Sequence, residues 1–190
     1  MLKKKLSKIY CIGDSITNGA RNEFFRDYVL ELNYIFRNEN LLFVNKSING
    51  ETTSEILKRV INLISYKQIN TIIFLGGTND SKIPTPLNIF KKNIVTLISV
   101  CKKNEINLLL VTIPKIFTGL PNYSKGLGNK YIYNYNLIIR NVARGNNIPF
   151  VELNGLIEKD FADGIHTNNN GCQKIAKIIS KKITKKNASV

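Results

Sequence analysis

The sequence lacks any apolar run near the roughly 20 residues that a membrane-spanning helix requires, so a soluble chain is expected. Cysteine is sparse. Cys11, Cys101 and Cys172 cannot all pair within one chain, and none makes a CxxC or metal-ligand spacing. That argues against a disulfide scaffold or a metal centre and fits a reduced compartment. Neither G-x-G-x-x-G nor G-x-x-x-x-G-K-S/T follows the first apolar run, which counts against a nucleotide-binding module. Acidic residues are few, 13 Asp and Glu against 28 Lys and Arg, for a formal net charge of +15. Such a surplus favours contact with anionic surfaces or substrates and says little about fold. Histidine is scarcer still: His166 is the only one.

What is present fits one globular domain spanning 1–190, with 43% hydrophobic residues, enough for a sizeable core. The basic start, Lys3, Lys4 and Lys5, resembles a signal peptide, but Lys8 interrupts any apolar region behind it. A cytoplasmic protein is expected. The other lysines fall at helix ends and termini, where cations complement the helix dipole. No aromatic-interleaved basic stripe accompanies them, so no nucleic-acid partner is expected. Weak attraction to anionic lipid or glycan is the secondary reading of the charge.

Short apolar runs at 8–12, 41–45, 71–75, 107–113 and 148–153 are of strand length. Each is apolar at successive rather than alternate positions, as in strands covered on both faces. Between them lie stripes of helical period. Tyr28, Val29, Leu32 and Phe36 belong to the first. Ile56, Val60 and Leu63 belong to the second, where Thr52 and Glu55 have capping-box spacing. Phe90, Ile94 and Leu97 follow Thr85 and Pro86, a cap and first turn. Tyr131, Tyr135, Ile138 and Val142 form the fourth stripe, and Ile175, Ile179 and Ile183 the fifth. This alternation predicts an α/β fold with a mostly parallel sheet and helices on both faces. Residues 115–129 have no pattern, and loops of that length are functional or mobile.

In an open parallel sheet all strands point one way, so the segments leaving them share an edge. Gly13, Asp14 and Ser15 leave the first run, and Ile48, Asn49 and Gly50 follow the second. Gly77, Thr78, Asn79 and Asp80 leave the third; Asp163, Gly164, Ile165 and His166 follow the fifth. These exits supply what serine-based acyl transfer needs. A neutral hydroxyl is a weak nucleophile and needs an adjacent base, and histidine titrates in the neutral range. A carboxylate on the second ring nitrogen fixes the tautomer, and Asp163 stands three residues before His166. The backbone N–H groups of Ser15 and Gly50 and the side-chain amide of Asn79 are the candidate oxyanion donors. Asp14 is read as a turn brace without a proton-transfer role, and Cys172 as a packing residue inside the last helix.

Gly13-Asp14-Ser15, Gly50, Gly77-Thr78-Asn79 and Asp163 to His166 resemble the four blocks of the SGNH hydrolases, also called GDSL esterases/lipases. Within that superfamily the chain is similar to the small bacterial thioesterase/lysophospholipase type, through 45–53, the helix reaching Arg59 and Val60, and 163–166. The resemblance covers nearly the whole chain. It implies a three-layer α/β/α sandwich, flavodoxin-like, with a parallel sheet of about five strands. It also implies Ser15 as nucleophile, His166 as base, Asp163 as orienting acid, and Ser15, Gly50 and Asn79 as oxyanion hole, with no metal or organic cofactor. Ile16 stands where Leu is commoner and Thr167 where Pro is frequent; neither removes a reacting atom.

The resulting expectation is a cofactor-independent esterase acting on a small-molecule, lipid or glycan ester, with a slight preference for short acyl chains because a small chain has limited depth for a buried tail. The alternatives are long-chain lysophospholipids or acyl thioesters, transfer to another alcohol by the same residues, and a ligand- or lipid-surface-binding module. An apolar groove lined by 115–129 is the feature that would favour long chains.

Overall fold

A computed structural model describes residues 6–24, 26–66, 68–117 and 125–187. The five apolar runs become β1 (Ser7–Gly13), β2 (Leu41–Asn45), β3 (Thr71–Leu75), β4 (Asn107–Val111) and β5 (Phe150–Val151). All pair in parallel, in the order β2-β1-β3-β4-β5. The helices are α1 (Ser15–Asn18), α2 (Tyr28–Ile35), α3 (Thr53–Tyr66), α4 (Leu87–Lys103), α5 (Lys125–Gly145) and α6 (Asn169–Asn187). The neighbours α3, α4 and α5 pack side by side on one face, and α2 packs with α6 on the other, as right-handed crossovers require. This is the three-layer α/β/α arrangement with flavodoxin-like strand order. Ile12, Ile72, Phe74 and Leu110 are shielded on both faces, which is why the strands are apolar at successive positions. No helix among the described residues is long and apolar enough to cross a membrane.

The element ends depart from the sequence pattern for identifiable reasons. Helix α2 starts at Tyr28 because Asp27 caps it, its Oδ1 accepting from Leu30 N at 2.7 Å. Strand β4 stops at Val111 because two asparagines of α5 take over its backbone pairing. Asn136 accepts from Ile113 N at 2.8 Å and donates to Ile113 O at 2.9 Å. Asn129 does the same for Ile116, at 2.8 and 2.7 Å. Helix α5 begins at Lys125, inside the stretch read as patternless; 118–124 lie outside the described residues. Strand β5 is two residues long, since Leu153 N turns to the Thr112 hydroxyl at 2.9 Å. Pro86 is the cap residue of α4, and the helix starts at Leu87.

Two neighbours of β1 lie on opposite sides of it, β2 reached one way and β3 the other. Such a switch point opens a crevice at the strand ends. Gly13 closes β1 there, and the reason is space: a Cβ on it would sit 1.9 Å from Leu75 O and 2.3 Å from Thr17 Oγ1.

Candidate active site

Ser15 begins α1, directly behind β1, and is almost fully buried. Asp14 caps that helix: its Oδ1 accepts from Ile16 N at 3.0 Å. Its Oδ2 accepts from Gly77 N and Thr78 N at 3.3 and 3.2 Å, tying the β1 exit to the β3 exit. Asp14 thus braces the turn. Burial pushes its carboxyl up to about 6, against the pull of the three backbone N–H groups. A folded-state pKa above the unfolded one contributes stability at low pH that is lost as pH rises through about 6. The stability difference between the unaltered protein and Asp14→Asn is therefore expected to shrink by about 2 kcal/mol between pH 4 and pH 7. Urea unfolding of both proteins at the two pH values measures it; a pH-independent difference refutes the assignment.

The β2 exit carries Gly50 at φ 82, and a Cβ there would meet nothing within 4 Å. The glycine is required by backbone conformation, and the space above it is open. Glu51 and Arg59 hold this loop: Arg59 Nε lies 2.9 Å from each Glu51 carboxylate oxygen. The same guanidinium donates to Lys46 O and Gly13 O, so one side chain spans the exits of β1 and β2. The Thr52–Glu55 pair makes only half a capping box. Glu55 Oε2 accepts from Thr52 N at 2.8 Å, but the Thr52 hydroxyl donates to that same oxygen.

The cap of α3 comes from Asp80 instead. Its Oδ2 accepts from Thr53 N at 2.8 Å and its Oδ1 from Thr53 Oγ1 at 2.7 Å, both buried. Asp80 follows Asn79 in the Asn79–Ser81 turn, and Asn79 Nδ2 donates to Glu51 O at 3.0 Å. This bond orients the Asn79 amide at the exit of β3. Asp80 and Asn79 together lock the β2 and β3 exits to each other. Burial raises the Asp80 carboxyl, opposed by its bonds to Thr53.

The histidine arrives on a closed loop. Phe161 and Thr167 form an antiparallel bridge, and Ala162 N donates to His166 O at 2.8 Å. Within the loop, Asp163 Oδ1 accepts from Ile165 N at 3.0 Å and His166 N at 2.8 Å. From the β4 exit, Phe117 N donates to Gly164 O at 2.8 Å, and the Phe117 ring packs on Phe161. Asp160 anchors the base of the loop to α6 through Lys174 at 2.7 Å. Cys172 is fully buried against Thr167, and burial raises its thiol; it packs, as read from the sequence.

Asp163 Oδ2 lies 2.7 Å from His166 Nδ1, and His166 Nε2 lies 3.1 Å from Ser15 Oγ. Burial pushes the Asp163 carboxyl up, but the His166 backbone N–H, the imidazole and Ile165 N–H outweigh it and hold the acid below its ordinary range. It is thus a carboxylate at neutral pH, facing the ring nitrogen away from the serine. The structure brings Ser15, His166 and Asp163 into one chain of contacts and sets Gly50 and Asn79 on the exits beside it. Sequence reading missed Asp80, Arg59 and Phe117 as supports of this arrangement. Among the described residues, no cluster of His, Cys, Asp or Glu could hold a metal ion.

A hydroxyl, an imidazole and a carboxylate in series at a switch point define a serine hydrolase site on a flavodoxin-like sheet. The family model described as "GDSL-like Lipase/Acylhydrolase family" matches residues 11–174, and the chain belongs to that family of acylhydrolases. Solved structures agree in fold. A lipase/acylhydrolase from Enterococcus faecalis is 25% identical, with TM-score 0.75, over 95% of this chain and 96% of that one. A member of the lipolytic protein G-D-S-L family from Veillonella parvula DSM 2008 is 21% identical, with TM-score 0.79, over 94% and 98%. An acetyl xylan esterase from Geobacillus stearothermophilus is 20% identical, with TM-score 0.77, over 94% and 95%. No curated protein sequence matches this chain.

Proposed function

We propose that this esterase cleaves short-chain carboxylic esters, acetyl esters of small alcohols or sugars foremost, through an acyl-enzyme on Ser15. The observation that carries the mechanism is the run Ser15 Oγ, His166 Nε2, His166 Nδ1, Asp163 Oδ2 at 3.1 and 2.7 Å. Ser15 Oγ attacks the ester carbonyl carbon while its proton passes to His166 Nε2. Asp163 holds the other ring nitrogen protonated and faces the imidazolium as it forms. Charge develops on the carbonyl oxygen, which the N–H groups of Ser15 and Gly50 and the Asn79 amide receive. Collapse expels the alcohol with the proton from His166, and water, activated by the same base, then releases the acid.

Two observations support the short-chain reading. A depression of about 260 Å³, lined by Asn22, Glu23, Phe24, Ala162 and Asn168 and not by Ser15 or His166 themselves, lies beside the histidine loop and has room for a small alcohol rather than a long tail. The fold is also shared with an acetyl xylan esterase. Of the long-chain discriminator, a groove along 115–129, residues 118–124 lie outside the described residues. Turnover of p-nitrophenyl esters from acetate to palmitate, with acetylated sugars and an acyl thioester alongside, tests the reading. kcat/KM is expected to be highest for acetate and to fall at least about tenfold by octanoate, a factor worth 1.4 kcal/mol. A maximum at long chains or at the thioester overturns it.

A further inference from the structure

Charge is divided unevenly between the two edges of the sheet. The segments leaving the strands hold six of the 28 Lys and Arg and nine of the 13 Asp and Glu, but Asp14, Asp80 and Asp160 are buried, and Glu51 and Asp163 face Arg59 and His166. At the opposite edge, where helices end and strands begin, Lys8, Arg37, Lys102, Lys103, Arg144 and Lys182 are exposed, against the acids Glu39 and Glu105.

That basic edge also carries an apolar groove of about 1010 Å³. Ile9, Ile73, Leu109, Ile148 and Ile183 line it, with Lys182 at its rim. It opens on the sheet face covered by two helices, one of only eight residues, whereas three longer helices cover the other face. Around the same edge, Leu6, Tyr34, Ile35 and Tyr66 are 50%, 65%, 42% and 87% exposed. The Arg37 guanidinium lies 4.6 Å over the Tyr34 ring, a cation carried on an aromatic. Apolar side chains such as Phe24 and Ile83 are exposed at the catalytic edge too. At the strand-entry edge they stand around the groove.

A surface that is cationic at its rim and apolar in its groove is complementary to an anionic amphiphile. Phosphate meets lysine and arginine, and hydrocarbon enters a space that water fills poorly. We propose that the strand-entry edge docks on an anionic phospholipid bilayer, with Lys102 and Lys182 facing headgroup phosphates and an acyl chain entering the groove beside Ile183. The inference is independent of which ester is cleaved. It has a consequence for the enzyme: with the basic edge on the membrane, the serine faces water, where a short, soluble ester is met.

Cosedimentation of the full chain with phosphatidylcholine vesicles, pure or carrying about one-third phosphatidylglycerol, tests the proposal. Binding is expected only to the anionic vesicles and is expected to be lost at high salt. Lys102→Glu with Lys182→Glu should weaken partitioning about 25-fold or more, at about fivefold per cation removed. Ile183→Lys adds a cation yet puts charge into the groove, so it should weaken binding as well. Ester turnover and thermal unfolding report that each variant is folded. Failure of the unaltered protein to bind anionic vesicles overturns the proposal, as does binding that the charge reversals leave intact. Undiminished binding by Ile183→Lys removes the groove and overturns the docking geometry. Tighter binding of a short single-stranded DNA at the same lysines would make a nucleic acid the partner and overturn it equally.

Discussion

Ser15→Ala should eliminate turnover of p-nitrophenyl acetate, with a loss in kcat on the order of 10⁶, the scale seen when a serine nucleophile is removed from a comparable relay. The side chain is small, and its hydroxyl contacts His166 Nε2 at 3.1 Å. Deleting that oxygen leaves the Asp14 cap, the Arg59 bridge and the Asp80–Thr53 bonds in place, since none of them uses it. One buried hydrogen bond is worth about 1 kcal/mol, so the unfolding midpoint should move little. Turnover retained at a tenth or more of the original rate would remove Ser15 from the mechanism. A collapse in stability would mean that its role is structural.

The layers of the fold were legible because burial on both faces leaves a strong mark in sequence. Ile72, Ile73, Phe74 and Leu75 are all shielded, so apolarity runs unbroken through β3. Element ends were less legible because side chains from distant positions set them. Asn129 and Asn136 stand two helical turns apart on α5 and pair with the backbone beyond β4, replacing a strand neighbour. Asn33 of α2 likewise accepts from Phe43 N and donates to Phe43 O. A polar residue at stripe spacing beside apolar neighbours was the available signal, and periodicity alone does not read it.

The site divides in the same way. Gly13, Ser15, Gly50 and Asn79 were legible because each stands at the exit of a strand next to the switch point, where topology alone brings them together. The same logic put His166 on that edge but did not bring it to Ser15. Strand β5 lies three positions from β1, about 14 Å away at the usual strand spacing. The chain returns across that distance through Leu153, Asp160 and the bridged loop, held by Phe117 from the β4 exit. Its residue types pointed to the site, whereas its path depended on contacts no local pattern encodes. Asp80 shows the converse. It stands at the exit of β3 with no reacting atom to offer, yet it caps a helix 27 positions earlier in the chain.

Asp163→Asn should lower kcat about 10⁴-fold while the loop stays folded, because the substitution reverses the tautomer rather than the geometry. Asp163 Oδ1 accepts from Ile165 N and His166 N, and an asparagine oxygen can accept both. That leaves the amide NH₂ where Oδ2 now faces His166 Nδ1 at 2.7 Å. A donor at that position selects the ring form with Nδ1 bare and the proton on Nε2. In that form Nε2 cannot accept the Ser15 proton, and the imidazolium loses its facing carboxylate. The stability effect has its own sign. The carboxyl of Asp163 is held below its ordinary range, so its contribution is present above the unfolded pKa and is lost as pH falls through the folded one. The variant should therefore be less stable than the parent at neutral pH, with the gap narrowing in acid. Steady-state kinetics beside unfolding at neutral and acidic pH separates the two effects. A loss of activity below about tenfold would mean that Asp163 does not orient the base.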